Sequence, residues 1–165
     1  MAAAGSALFL ALAPGTVAGL VPWLLTGWES NDPPAARAAL GVILAAAGAA
    51  ALLHAFARFV VEGVGTPAPV APPRHLVIGG LYRHVRNPMY VAVLAVVLGQ
   101  ALLLGQVVLL AYALGLWLMF ASFVRFYEEP TLAAGFGADY EAYRRGVRAW
   151  LPRLRPWRPP SVRAP

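Results

Sequence analysis

Two stretches concentrate the side chains that could do chemistry. Residues 79–90, GGLYRHVRNPMY, set Arg83, His84 and Arg86 beside an Asn-Pro pair at the mouth of an apolar run. Residues 124–132, VRFYEEPTL, place Glu128 and Glu129 together at the end of the next apolar run, with Arg125 one helical turn earlier. Arginines at the edge of a membrane helix need no cause beyond anchoring, and Asn87 then reads as an N-cap with Pro88 at the first helical position. Two adjacent acids at such an edge are different, because they run against the positive-inside bias and invite a cationic partner. Arg125 lies at the lipid boundary, where an ionisable residue signals function and snorkelling is the plain alternative. If the two runs form a tight hairpin, the acidic pair returns to the side that holds Arg83, His84 and Arg86.

The elements that must deliver this arrangement are membrane helices. Of 165 residues, 60% are hydrophobic and 12% charged, against roughly 45–50% and about 25% in soluble domains. Apolar stretches run over about 6–28, 36–61, 88–104 and 106–127, each near the ~20 residues that cross a bilayer. Pro14 and Pro22 predict a kink in the first, or two shorter pieces. The second is rich in Ala and Gly, as suits close packing in lipid. Residues 63–80, GVGTPAPVAPPRHLVIGG, read as a strap that cannot be regular helix. Residues 137–150, GADYEAYRRGVRAW, read as an amphipathic interfacial helix. The expected architecture is all-α and polytopic, with about four transmembrane helices. It divides into N-terminal membrane helices (1–62), a core of strap, hairpin, acidic pair and interfacial helix (63–152), and a basic tail (153–165).

Charge orients the chain. Loop one, with Glu29, Asp32 and Arg37, is net acidic, whereas the strap side holds Arg58, Arg74, Arg83 and Arg86 and the tail holds seven more arginines. Four spans put both arginine-rich segments, both termini and both chemical stretches on the cytosolic side. The net charge of +6 comes from arginine alone; it sits beside apolar runs without a nucleic-acid motif, so membrane lipids rather than nucleic acid are the expected partners. With no cysteine, disulfides and thiolate metal sites are excluded, and His75 and His84 lack metal-like partners. The N-terminal residues carry no basic leader region and read as a retained helix. Arginine-only, Ala/Gly-rich composition points to a GC-rich bacterial genome and hence an inner-membrane location.

Together these residues resemble the isoprenylcysteine carboxyl methyltransferase and phospholipid methyltransferase superfamily of integral-membrane enzymes. The resemblance lies in Arg86-Asn87-Pro88-Met89-Tyr90, where the family has an Arg-His-Pro-x-Tyr box, and in Glu128-Glu129 at the end of the following helix. Phe136-Gly137 with Tyr140 and Tyr143, then Leu151-Pro152, continue it, and residues 75–82, HLVIGGLY, look like the family's lead-in. It covers roughly 63–152. Asn87 replaces the usual histidine; it still donates and accepts hydrogen bonds but cannot take up a proton.

The resemblance implies S-adenosylmethionine as cofactor, a cytosolic molecule that carries a sulfonium, an ammonium and a carboxylate. It assigns cofactor contact to Arg74, His75, Leu76, Val77, Tyr82, Arg86, Asn87, Pro88, Met89, Tyr90 and Glu128, with Glu128 pairing the ammonium. Arg125 and Glu129 fall on the reacting side, Arg125 one residue off the strict alignment. The acceptor implied is a lipophilic small molecule or lipid bearing a carboxylate, amine or thiol, reached from the bilayer. Rate would then come from positioning and water exclusion rather than acid–base work.

Other functions remain open at this level. A small four-helix transporter needs an ionisable group deep in the bilayer, and His54 is the one candidate. A membrane reductase would share parts of the tail topology but use a nicotinamide cofactor, and a structural anchor would leave the Arg/Glu constellation without purpose. His54, Arg58 and Glu62 recur every fourth position as a polar stripe on the second helix, either pairing among themselves or touching a ligand. Residues 63–65, GVG, read as a helix-ending turn rather than a phosphate loop. Neither the acceptor nor the oligomeric state follows from the residues.

Overall fold

The computed structural model of the protein describes residues 12–63 and 75–158. Arg74, most of the strap and the start of the first apolar stretch lie outside the described residues. What is described is all-α: α1 (Leu12–Thr26), α2 (Ala35–Gly63), α3 (Pro88–Leu104), α4 (Val107–Phe123) and α5 (Glu129–Gly146), with a 3₁₀ turn at Gly80–Arg83. Among the described residues two helical runs are long and apolar enough to cross a membrane, Ala35–Glu62 with 28 residues and Val107–Gly146 with 40, the latter interrupted at Gly137, while α1 and α3 are shorter apolar helices.

The surface of α4 shows what surrounds it. Leu114, Leu118 and Met119 are each more than half exposed, and Val107 is 71% exposed. A helix that is apolar on all sides yet exposed along its length suits lipid, not the core of a water-soluble domain. Packing against the neighbours depends on small residues. A methyl group on Gly48 would meet the Ala92 carbonyl oxygen at 2.9 Å, and one on Gly99 would meet the Ala45 nitrogen at 2.5 Å. Glycine therefore lets α2 and α3 approach backbone to backbone, the usual route to tight association where the hydrophobic effect no longer favours one helix over a lipid tail. Leu52, Ala92, Val93, Val97, Ala113 and Leu116 form the core, with Val17 and Ala18 of α1 packed on it.

Pro22 does not break α1. The helix passes through a π turn at Thr16–Leu20 and ends at Gly27, whose φ of 59° is left-handed. Proline has no N–H for the carbonyl four residues back, that of Ala18, and the Val21 N–H bonds Thr16 instead of Val17. Both freed carbonyls are satisfied from neighbouring helices. Gln100 Nε2 donates to Ala18 at 2.7 Å, and the Tyr112 hydroxyl donates to Val17 at 2.8 Å. Lipid offers no other donor, so these two side chains make the proline tolerable there.

Loop one meets the α3–α4 turn. The Asn31 N–H donates to the Leu104 carbonyl at 2.8 Å, and Gln106 Nε2 donates to the Glu29 carbonyl at 2.9 Å. The far ends of α2 and of the α3–α4 hairpin consequently share the opposite end, where the charged stretches lie. The apolar stretch 88–104 coincides with α3. The fourth runs further than its hydropathy suggests, because a π turn at Val124–Glu128 carries α4 directly into α5. Helical geometry is interrupted at Gly137 (φ 51°, ψ −123°), so the helix expected over 137–150 is present as the second segment of α5, ending at Gly146 with Val147 extended.

Candidate active site

Each carboxylate of the acidic pair finds its own partner on the approach to α3. Glu128 accepts a hydrogen bond from the Tyr90 hydroxyl at 2.5 Å. Glu129 accepts one from Arg86 Nη1 at 2.8 Å, with both side chains only 12% exposed. Arg125 and Arg144 approach the other Glu129 oxygen more loosely, at 3.7 and 3.8 Å. Arg125, on the preceding turn, is 67% exposed and reaches outward. Arg144, in sequence one of the tail arginines, reaches this centre from the helical segment that follows Gly137.

Arg86 is committed to the protein on several sides. Its Nε donates to the Val147 carbonyl at 3.0 Å, its Nη1 also donates to the Tyr140 hydroxyl at 3.1 Å, and its backbone N–H donates to the Arg148 carbonyl at 2.9 Å. It ties the end of α5 to the start of α3. The expectation that Arg83 and His84 face the acidic pair is corrected, because both turn to the tail. Arg83 Nε donates to the Trp157 carbonyl, and His84 Nδ1–H donates to the Arg153 carbonyl, each at 2.8 Å. The backbone joins in, with the Arg153 N–H bonded to the His84 carbonyl and the Trp157 N–H to that of Arg83. The arginine and histidine of this stretch are therefore a clasp for residues 147–157. Carbonyl acceptors leave no mark in a sequence, which is why the clasp could not be read from it.

Asn87 stands at the N-cap position of α3 but does not cap it. Its Nδ2 donates to the Ala149 carbonyl at 3.2 Å, so the tail competes for the side chain that would otherwise satisfy the first helical N–H groups. Pro88 is buried behind it. Aromatic rings pack around the Tyr90–Glu128 pair: Tyr90 stacks on Phe120 at 4.5 Å, and Trp150 lies 6.5 Å from Tyr90 and 6.3 Å from Trp117.

The residues before the 3₁₀ turn arrive from the strap. His75 is exposed. Leu76 packs with Ile78 against the buried Tyr140, Tyr143 and Val147. Val77 joins Ala55 and Tyr82 in a second cluster, with Met89 against it. Tyr82 is 7% exposed, and its backbone carbonyl accepts the Tyr143 hydroxyl at 2.6 Å. Its own hydroxyl is buried without a hydrogen-bond partner among the described residues. Burial foremost, then the neighbouring Tyr143, Glu128 and Glu62, push the Tyr82 phenol well above its ordinary range. The group stays protonated and is a donor in search of an acceptor. No cluster of metal-ligating side chains occurs among the described residues.

The site thus offers one carboxyl group, Glu128, whose pKa burial raises against the opposing effect of its hydrogen bond from the neutral Tyr90 hydroxyl, one orphaned donor, and α3 N–H groups that no side chain caps. That set suits a ligand carrying both a cation and an anion. Comparison with known proteins supports the same superfamily over a range that overlaps the one read from sequence and begins earlier. The model of the phospholipid methyltransferase family matches residues 36–139. A protein-S-isoprenylcysteine O-methyltransferase of Schizosaccharomyces pombe is 40% identical over 78 residues, which are 47% of this chain and 33% of that relative. The match therefore spans a third of the curated relative's length. No solved structure matches the chain.

Proposed function

The chain belongs to the phospholipid methyltransferase family, and on that premise we propose that it is an integral-membrane methyltransferase that takes a methyl group from S-adenosylmethionine. In this reading α1 to α4 cross the bilayer, α4 continuing into α5, and the hairpin's open end faces the cytosol with both termini. The acceptor is lipophilic and reaches the site from the bilayer.

The residues fit that cofactor. Glu128 answers its ammonium, since the carboxylate is bonded to neutral Tyr90 and, among the described residues, to no arginine. Tyr82 has a buried donor to give. The uncapped first turn of α3 presents N–H groups and the positive end of a helix dipole to a carboxylate. Bound there, S-adenosylmethionine supplies an electrophilic methyl group on a sulfonium whose charge disappears in the transition state. Clamping the sulfonium itself would therefore oppose transfer, and the chain's charged groups act best on the remote ends of the ligand. Tyr90, Phe120 and Trp150 exclude water around Glu128, and Arg86 fixes the frame rather than touching the reacting atoms. The observation that carries the reading is the pairing of Glu128 with Tyr90 beside the unpartnered Tyr82 hydroxyl.

The test is calorimetry with S-adenosylhomocysteine on the detergent-solubilised chain. Glu128→Gln keeps the side chain's shape and removes its charge, so affinity should fall at least about tenfold, the lower range for losing a charged hydrogen-bonding partner, while helicity by circular dichroism stays unchanged. Wild-type affinity in Glu128→Gln would refute the site.

A further inference from the structure

The stripe of His54, Arg58 and Glu62 lies against the two glycines that open the 3₁₀ turn. Glu62 Oε2 accepts the Gly79 N–H at 2.9 Å, while Oε1 accepts Arg58 Nη1 at 2.9 Å. Gly79 is the N-cap of the turn, and its carbonyl accepts the Tyr82 N–H at 3.1 Å. A methyl group at Gly79 would run into the Glu62 carboxylate. Gly80 has a φ of 54°, and a methyl there would lie 2.6 Å from His54 Nε2 and 3.2 Å from Arg58 Cγ. The stripe thus packs directly on the turn, and at Gly80 the left-handed φ itself calls for glycine.

We propose that Glu62 is a positioning residue for the cofactor: it fixes the Gly79 amide, and through the 3₁₀ turn it holds the Tyr82 hydroxyl in the site. The proposal rests on the cofactor reading above. The Arg58–Glu62 pair is not by itself the purpose of the stripe, since side chains 47% and 26% exposed gain little from such a pair. Glu62 is not a free ligand group either, because both oxygens already accept hydrogen bonds within the protein. Tyr82 is held from two sides, by Glu62 on α2 through the turn and by Tyr143 on α5 through its carbonyl. Its hydroxyl is left unpartnered among the described residues, a preorganised donor whose entropy of ordering is already met before a ligand arrives.

The full chain in detergent micelles, with S-adenosylhomocysteine as the probe, tests this by calorimetry and by hydrogen exchange. Glu62→Ala should weaken binding roughly tenfold, as for a lost hydrogen bond to a charged group, and should speed exchange at Gly79 and Tyr82 while α3 and α4 stay protected. Glu62→Gln retains an acceptor for the Gly79 N–H and should recover most of the affinity. In a Tyr82→Phe background, Glu62→Ala should cost nothing further, because the group it positions is gone. A Glu62→Ala protein that binds as tightly as wild type, or one whose exchange rises throughout the chain, overturns the inference while leaving the cofactor reading intact. Wild-type protein that does not bind the probe overturns both.

Discussion

Removing Glu129 should damage the fold far more than removing the arginine that looks functional in sequence. Arg86 and Glu129 are each 12% exposed and 2.8 Å apart, and Glu129 is the charged acceptor for the Arg86 guanidinium. In Glu129→Ala, Arg86 keeps the Val147 carbonyl and the Tyr140 hydroxyl, both neutral, and remains a buried cation without a counter-charge. Breaking one side of such a pair costs about 3–5 kcal/mol. Arg125→Ala, by contrast, removes a contact at 3.7 Å from a side chain 67% exposed, which at that exposure is worth under about 1 kcal/mol. Unfolding in mixed micelles by increasing mole fraction of a denaturing detergent reads both values on the same scale. The double substitution Arg86→Met with Glu129→Leu should recover much of the loss, since two apolar groups leave no charge stranded. A Glu129→Ala loss below about 1 kcal/mol, or a double variant worse than the sum of the singles, would show that the pair does not hold α5 to α3.

Two further outcomes follow from the same geometry. Gln100→Leu and Tyr112→Phe each strand a carbonyl of α1 and should destabilise by about 1–3 kcal/mol, measured in the same micelle assay; Tyr112→Phe as stable as wild type would mean that the π turn satisfies itself. The chain has no cysteine, so single cysteines report topology cleanly. Ser30→Cys and Asn31→Cys should react with an impermeant maleimide from one side of the membrane and Arg155→Cys from the other, and a shared side for all three would dismantle the hairpin orientation.

Much of this was legible because particular residues punctuate the chain strongly. Asn87-Pro88 and Leu104-Gly105 bound α3 to the residue, since proline presets the first helical φ and Gly105 takes the left-handed closing position. The same hairpin logic set the acidic pair on the side of Arg83, His84 and Arg86, and of these three it is Arg86 that meets Glu129. The fourth apolar stretch ends near 127 by hydropathy, but the helix continues through a π turn with Pro130 in the first turn beyond it. Asn87 has the right identity and position for a cap, yet its Nδ2 is turned to donate to the Ala149 carbonyl and its side chain caps no helical N–H. Arg83 and His84 carried charge that suggested an acidic partner, and their actual partners are backbone carbonyls.

The chain uses one backbone device twice, to different ends. At Thr16–Leu20 and at Val124–Glu128 a π turn precedes proline by the same interval, with Val21 bonding back to Thr16 and Glu129 to Val124. In α1 the freed carbonyls are absorbed by Gln100 and Tyr112, and the result is a helix that tolerates Pro22. Before Pro130 the extra residue in the turn changes where side chains point. On a regular helix consecutive residues diverge by about 100°, too far for both acids to address one neighbour squarely; the wider turn reduces that angle. Glu128 and Glu129 can then face α3 together, one toward Tyr90 and the other toward Arg86. The proline is thus part of how the acidic pair is aimed, and the two carboxylates divide the work, one holding the frame and the other left with a neutral partner.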